Sequence, residues 1–150
     1  LIEAFVSTGY RLLTEPMMAL RIGQVYPELD ACAGQAGWAI ITAYNPAASM
    51  QSAADNRRAQ HALIRRVSAI QTGPVLKTVH VACPPESWPD EPGVLLAIEH
   101  EDQAHALARD FNQAAIVVGR PGEATQLWWY AVEPPVPAHA HVRWIKPCAD

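Results

Sequence analysis

Cysteine is scarce and unpaired: Cys32, Cys83 and Cys148 stand far apart, with no C-x-x-C pair and no metal-ligand spacing. Such a pattern excludes a disulfide framework and points to reduced intracellular thiols. Charge is thin as well, at 17% of residues with a formal net charge of −4. That balance argues against a general binder of phosphate backbones, because such proteins displace counterions with a cationic surface. No apolar run approaches the roughly 20 residues that cross a bilayer, and the N-terminal stretch lacks the basic-then-apolar layout of a signal peptide. The expectation is a cytoplasmic protein with no membrane partner. The glycine loops GxGxxG and GxxxxGK are missing, so no nucleotide cofactor is indicated. His139 and His141 form H-x-H with Cys148 nearby, but two histidines on an extended tract lack the third and fourth ligands of a defined zinc site. No metal is expected.

Half of the 150 residues are apolar, enough for one ordinary core without covalent staples. Leu1 to Val6 suits a short amphipathic helix. Tyr10 to Leu13 and Met17 to Ile22 suit a hairpin whose turn carries Pro16, because proline cannot donate to a sheet ladder. Leu29, Cys32, Ala33 and Ala36 fall at i, i+3, i+4 and i+7 behind Pro27, which predicts a helix of about three turns closed by Gly37. Trp38 to Ala43 is almost uninterrupted by polar residues and reads as a central strand covered on both faces. Ser52 and Asp55 resemble a capping box ahead of the stripe Ala59, Leu63, Val67 and Ile70. Val75 to Ala82 and Gly93 to Ile98 follow as strands. Ala104, Leu107, Ala108 and Phe111 then define a helix with an acidic first turn at Glu101 and Asp102. Ala114 to Val118 and Gln126 to Val132 close the pattern as strands around Pro121-Gly122, and Arg143 to Lys146 suits an edge strand. The fold class is α+β: a single-domain sandwich over 1–132 with a mixed, mainly antiparallel sheet and about three helices, followed by a proline-rich extended segment over 133–150.

Candidate chemistry gathers at the end of the central strand, in TAYNPAAS. A residue before proline is steered to extended geometry, so Asn45 is expected to continue the strand and present its amide at the strand end with Ser49. Asn56 lies on the inward stripe of the following helix, in the turn facing that loop. A buried amide there must find partners, at a cost of about 1 to 3 kcal/mol if it does not. The plain alternative is that both asparagines only satisfy loop backbone groups. Glu91, in the proline-braced PPESWPDEP loop beside Trp88, would have a raised pKa if it enters an apolar layer, the property of a general acid or base. Gln113, at the end of the second long helix, supplies a further amide. Arg57, Arg58, Arg65 and Arg66 form a basic helix face, most simply a solvated one. His80 and Cys83 sit three residues apart on one strand and are expected to project to opposite faces, which argues against a thiol and base pair. Trp128, Trp129 and Tyr130 alternate across a strand, so an aromatic is expected to face outward and mark a surface for self-association.

Tyr10-Arg11, Leu20 to Gly23, Thr42 to Pro46, Ser49, Asn56, Trp88 with Glu91-Pro92, and Phe111 to Ala114 together resemble an uncharacterised bacterial family, domain of unknown function 3293. The resemblance runs from about Tyr10 to Val118. It implies that the asparagine of the Asn-Pro turn, the helix asparagine, the glutamate of the tryptophan loop and the glutamine of the Phe-x-Gln turn recur, here Asn45, Asn56, Glu91 and Gln113. The chain departs from that pattern at Asn112, where glycine is expected. Three functional readings follow. The first is a ligand-binding or regulatory module with a polar cleft for an unknown small polar ligand, lined by Asn45, Ser49, Asn56, Glu91 and Gln113. The second is a small hydrolase or transferase with Glu91 as general acid or base. The third is a protein-interaction or homo-oligomerisation domain using the Trp128 to Tyr130 strand.

Overall fold

The apolar run at Trp38 forms strand β3 (Gly37–Ile41), in which every residue is buried. In the computed structural model, which describes residues 1–71 and 73–147, β3 lies between β5 (Glu91–Ile98) and β6 (Ala115–Gly119), antiparallel to both. The sheet has eight strands in the order β2-β1-β4-β5-β3-β6-β7-β8. The hairpin β1 (Gly9–Leu12) and β2 (Met18–Leu20) forms one edge, joined to β5 through β4 (Leu76–Val81). At the other end β7 (Gln126–Trp129) pairs with β6, and β8 (Val142–Trp144) adds in parallel to β7, the one parallel pair among the described residues of a mainly antiparallel sheet. The fold is α+β, with a mixed and curled sheet.

Alternation along each strand divides the core in two. Ala39 and Ile41 of β3 face helices α2 (Ala53–Ile70) and α3 (Glu101–Asp110), packing with Leu63, Val67, Leu107 and Ala108. Trp38 and Ile40 face the other way, with Tyr10, Leu29, Leu127 and Ile2 of helix α1 (Ile2–Ser7). Full burial of each leucine or valine contributes about 1.5 to 3 kcal/mol. The second face is concave. Gly23 N–H donates to Thr125 O and Thr125 N–H donates to Gln24 O, each at 2.8 Å, tying the chain after β2 to the chain before β7. Helix α1 covers this hollow, with Phe5 edge-on to Trp129 at 5.6 Å between ring centroids.

Capping explains the helix limits. Ser52 Oγ accepts from Asp55 N–H at 3.1 Å at the start of α2. Helix α3 ends in a left-handed residue, Asn112 (φ 48), which lets Gln113 N–H reach back to Ala108 O at 2.8 Å. Asparagine thus adopts the conformation for which glycine was expected, as its short polar side chain permits.

Four expectations are corrected. The three-turn helix after Pro27 is only a 3-10 turn, Pro27–Cys32. Its apolar stripe does not share one environment: Leu29, Cys32 and Ala33 pack in the concave core, whereas Ala36 packs on the helical side of the sheet. The chain has to pass from one face to the other between them. It does so at Gly34, where a Cβ would sit 2.5 Å from Ile98 O. Next, Trp128 is fully buried, Trp129 is 5% exposed and β8 covers their strand, so this aromatic segment offers neither a free edge nor an outward indole. Arg143 of β8 lies over the Trp128 ring at 4.9 Å and donates to Glu101 Oε1 at 3.0 Å, closing that side. The final strand is also shorter and earlier than Arg143 to Lys146. Finally, Ile70 is 38% exposed, so the inward stripe of α2 runs through Asn56, Gln60, Leu63 and Val67 instead.

Gly119 pairs with Trp38 across β3 and β6, and a Cβ at Gly119 would fall inside the indole. Gly119→Ala is expected to destabilise the fold by about 1 to 3 kcal/mol through overpacking. Urea unfolding should show a lower midpoint at an unchanged slope, and Gly119→Ala combined with Trp38→Leu should recover part of the loss.

Candidate functional site

Two residues one turn apart on α2 fix the end of β3. Gln60 Oε1 accepts from Ala43 N–H at 3.0 Å and Asn56 Oδ1 accepts from Asn45 N–H at 2.8 Å. Helical i, i+4 spacing thereby meets strand spacing of two. Asn56 Nδ2 donates to Asn45 Oδ1 at 3.0 Å, and that oxygen also accepts from Gln51 N–H at 3.1 Å. The two asparagines are buried and clamp each other. Asn45 is not extended: its φ of 48 and ψ of 65 place it in the left-handed region, and Ala47 (φ 54) and Ala48 (φ 56) follow it there. The preference imposed by Pro46 is overridden because the amide clamp fixes both ends of the Asn45 side chain and backbone. Ala47 N–H adds a bond to Asn112 O at 2.6 Å.

Asn45 Nδ2 then donates to Glu91 Oε1 at 2.9 Å, and Trp88 Nε1 donates to the same oxygen at 2.6 Å. Glu91 is the first residue of β5, not part of the preceding loop. Register places it directly opposite His80 on β4, and His80 directly opposite Tyr10 on β1. Such partners have Cβ atoms about 4.5 to 5.5 Å apart. The rings of Tyr10 and His80 meet edge-on at 5.0 Å between centroids. Three ionisable side chains thus form a row on the concave wall.

This row borders a cavity of about 240 Å³. Its remaining lining is largely apolar and aromatic, including Phe5, Ile40, Trp88, Val117 and Leu127. Burial governs the protonation of the row. It raises the Glu91 carboxyl above its usual value, against the lowering effect of the Trp88 and Asn45 hydrogen bonds. It lowers the His80 imidazole to about 4 and holds the Tyr10 phenol above its usual value. All three favour their uncharged forms, as desolvation requires.

Of the residues singled out from the sequence, Asn45, Glu91 and Gln113 line this cavity; Asn56 stands behind Asn45. Gln113 Nε2 donates to Tyr44 O at 3.3 Å and Phe111 O at 3.2 Å. Ser49 is exposed and outside the lining, where Ala48 takes its place. His80 and Cys83 both line the cavity, contrary to the opposite-face expectation, because β4 ends at Val81 and the chain turns before Cys83. Gln60 is absent from the sequence-based candidates, Tyr10 enters them only within the family resemblance, and His80 only in the rejected pairing with Cys83. Gln60 was detectable, four residues after Asn56 on the same stripe. Tyr10 and His80 were not, since their pairing depends on strand register. The arginine face is partly neutralised, with Arg58 paired to Asp55 and Arg66 to Asp110 at 2.5 Å. His139 Nδ1 accepts from His141 N–H at 3.1 Å. Among the described residues no group of three His, Cys, Asp or Glu is placed to hold a metal ion; Cys148 lies outside the described residues. Nor is any described helix long and apolar enough to cross a membrane.

Two outcomes are expected. Asn56→Ala strands the Asn45 amide and should cost about 1 to 3 kcal/mol. Adding Asn45→Ala should cost less than the sum of the single losses, measured by urea unfolding of the double-mutant cycle. His80 has a folded pKa of about 4 against an ordinary 6.5, so its contribution is present above 6.5 and lost as pH falls through 4. Glu91, raised, acts oppositely: its contribution is present below its ordinary 4.5 and lost as pH rises through its folded value. Acid unfolding followed by circular dichroism should therefore carry a destabilising His80 component between pH 6.5 and 4 that Glu91 partly offsets. His80→Gln should flatten that window by up to about 3 kcal/mol, at ~1.4 kcal/mol per pH unit.

The model of the family Protein of unknown function (DUF3293) matches residues 41–116. That span contains the Asn45 turn, α2, Glu91, α3 and Gln113, while the Tyr10 to Gly23 part of the resemblance lies outside it. No curated protein and no solved structure matches the chain. The match covers half of the chain, and the protein belongs to the DUF3293 family of proteins of unknown function.

Proposed function

We propose that the protein is a cytoplasmic bacterial module that binds a small ligand in the concave cavity. Apolar walls would take the body of the ligand, and the polar corner at Glu91 and Gln113 would orient it. In this reading Asn45 and Asn56 position the corner without contacting the ligand. The observation that carries it is a cavity of about 240 Å³ bordered by a carboxylate with one oxygen already held by two donors. An engineered apolar cavity of roughly 150 Å³ accepts benzene, so this volume suits a molecule somewhat larger. Mostly apolar lining with a few fixed polar groups is the usual composition of small-molecule sites.

A second reading is favoured by one arrangement. Glu91 and His80 face each other across β4 and β5, both biased to the neutral form. A neutral carboxyl beside a neutral imidazole is suited to general acid and base work in a hydrolase or transferase. Self-association through Trp128 to Tyr130 loses its support, because β8 occupies that side.

A thermal-shift screen of small amphipathic molecules is the direct test, run in parallel on Ala115→Phe, which places a ring in the cavity. Ligands that stabilise the native chain are expected to lose their effect in the variant. Stabilisation that persists undiminished in Ala115→Phe would locate binding elsewhere and end the proposal.

A further inference from the structure

The hydrogen-bonding capacity of the polar corner is lopsided. Trp88 Nε1 is committed to Glu91 Oε1 and Gln113 Nε2 to two backbone carbonyls, and one of the two N–H groups of Asn45 Nδ2 also donates to Glu91 Oε1. The Tyr10 hydroxyl donates to Phe5 O at 3.0 Å and the Ser87 hydroxyl to Pro84 O at 2.7 Å. Left over are two oxygens, Glu91 Oε2 and Gln113 Oε1, neither bonded to any described residue. With Glu91 ionised both oxygens are acceptors, and a ligand that satisfies them has to bring donors.

Charge points the same way. Glu91 is the one acidic side chain on the cavity wall, and no lysine or arginine lines it among the described residues. A carboxylate partly removed from water without a protein cation is costly unless a cation arrives from outside. The surrounding surface can accommodate one, since the aromatic residues Phe5, Tyr44 and Trp88 also border the cavity and aromatic rings attract ammonium groups.

We infer that the ligand is a small apolar primary amine, held as its ammonium by Glu91 Oε2 and Gln113 Oε1 with its hydrocarbon body along the concave wall. This inference rests on the binding reading above and narrows it to one chemical class. Binding is linked to protonation: the ammonium competes with the proton on Glu91, so amine affinity increases as the carboxyl ionises.

Isothermal titration of the full chain with hexylamine, and with hexan-1-ol as its neutral isostere, tests the inference. Hexylamine is expected to bind at least about tenfold more tightly than the alcohol, a difference of ~1.4 kcal/mol. Glu91→Gln keeps an oxygen for Trp88 and Asn45 and should remove that preference. The native protein gives an independent readout that needs no variant: amine affinity should climb with pH through the Glu91 titration, and alcohol affinity should not. Equal or tighter binding of hexan-1-ol by the native chain would overturn the amine class and leave the cavity reading standing. Amine binding that survives both Glu91→Gln and Ala115→Phe would overturn it by placing the amine elsewhere. Failure of both probes to bind the native chain would overturn the amine proposal and count against the cavity reading as well.

Discussion

The reciprocal amide pair Asn45 and Asn56 is the constraint on which the site depends. Its members are 11 residues apart in sequence and both buried, and each satisfies the other. An unpaired buried amide is costly, so neither side chain can leave without penalising its partner. The pair also holds a stretch that the chain would not adopt alone. Left-handed geometry at Asn45, Ala47 and Ala48 is unfavourable for residues bearing a Cβ, by roughly 1 to 2 kcal/mol at alanine. Hydrogen bonds to Asn56, Gln51 and Asn112 offset it. The result is an abrupt end to β3 that turns the Asn45 amide toward Glu91.

From that point the arrangement follows from sheet geometry. Glu91 begins β5, so its direction is set by the ladder to β4 rather than by a loop. Tyr10, His80 and Glu91 then lie in one row across three strands, a row made by register alone. The curl of the sheet, tied by Thr125 to the chain after β2, converts the row from one face of a surface into the wall of a hollow. Burial next to Phe5, Ile40 and Leu127 keeps these ionisable groups biased toward neutrality. Such a concentration of desolvated polar groups opposes stability and is characteristic of sites that carry function.

Legibility varied with the range of the interaction. Helix α3 followed from its own spacing, α2 from Ser52 and the Leu63 to Val67 stripe, and central β3 from its unbroken apolar run. Each reading used contacts made by one segment with whatever covers it. The 3-10 turn after Pro27 is not legible in the sequence, because its apolar spacing hides a change of face at Gly34, where Ile98 O comes close. The burial of the aromatic strand is not legible either, because nothing in Trp128 to Tyr130 announces that β8 pairs beside it.

The same division holds at the site. Local chemistry marked Asn45, Asn56, Glu91 and Gln113 as polar residues at strand and helix ends. Sequence by itself determined the α+β class, the central strand, the two long helices and those four positions, because periodicity and turn chemistry act within a dozen residues. Tertiary structure decided the rest: the left-handed turn at Asn45, the exclusion of Ser49, and the meeting of Tyr10, His80 and Glu91 on one wall. Each of these is set by strand register or by hydrogen bonds between distant segments, and a one-residue slip in pairing would have sent Tyr10, His80 or Glu91 to the other face.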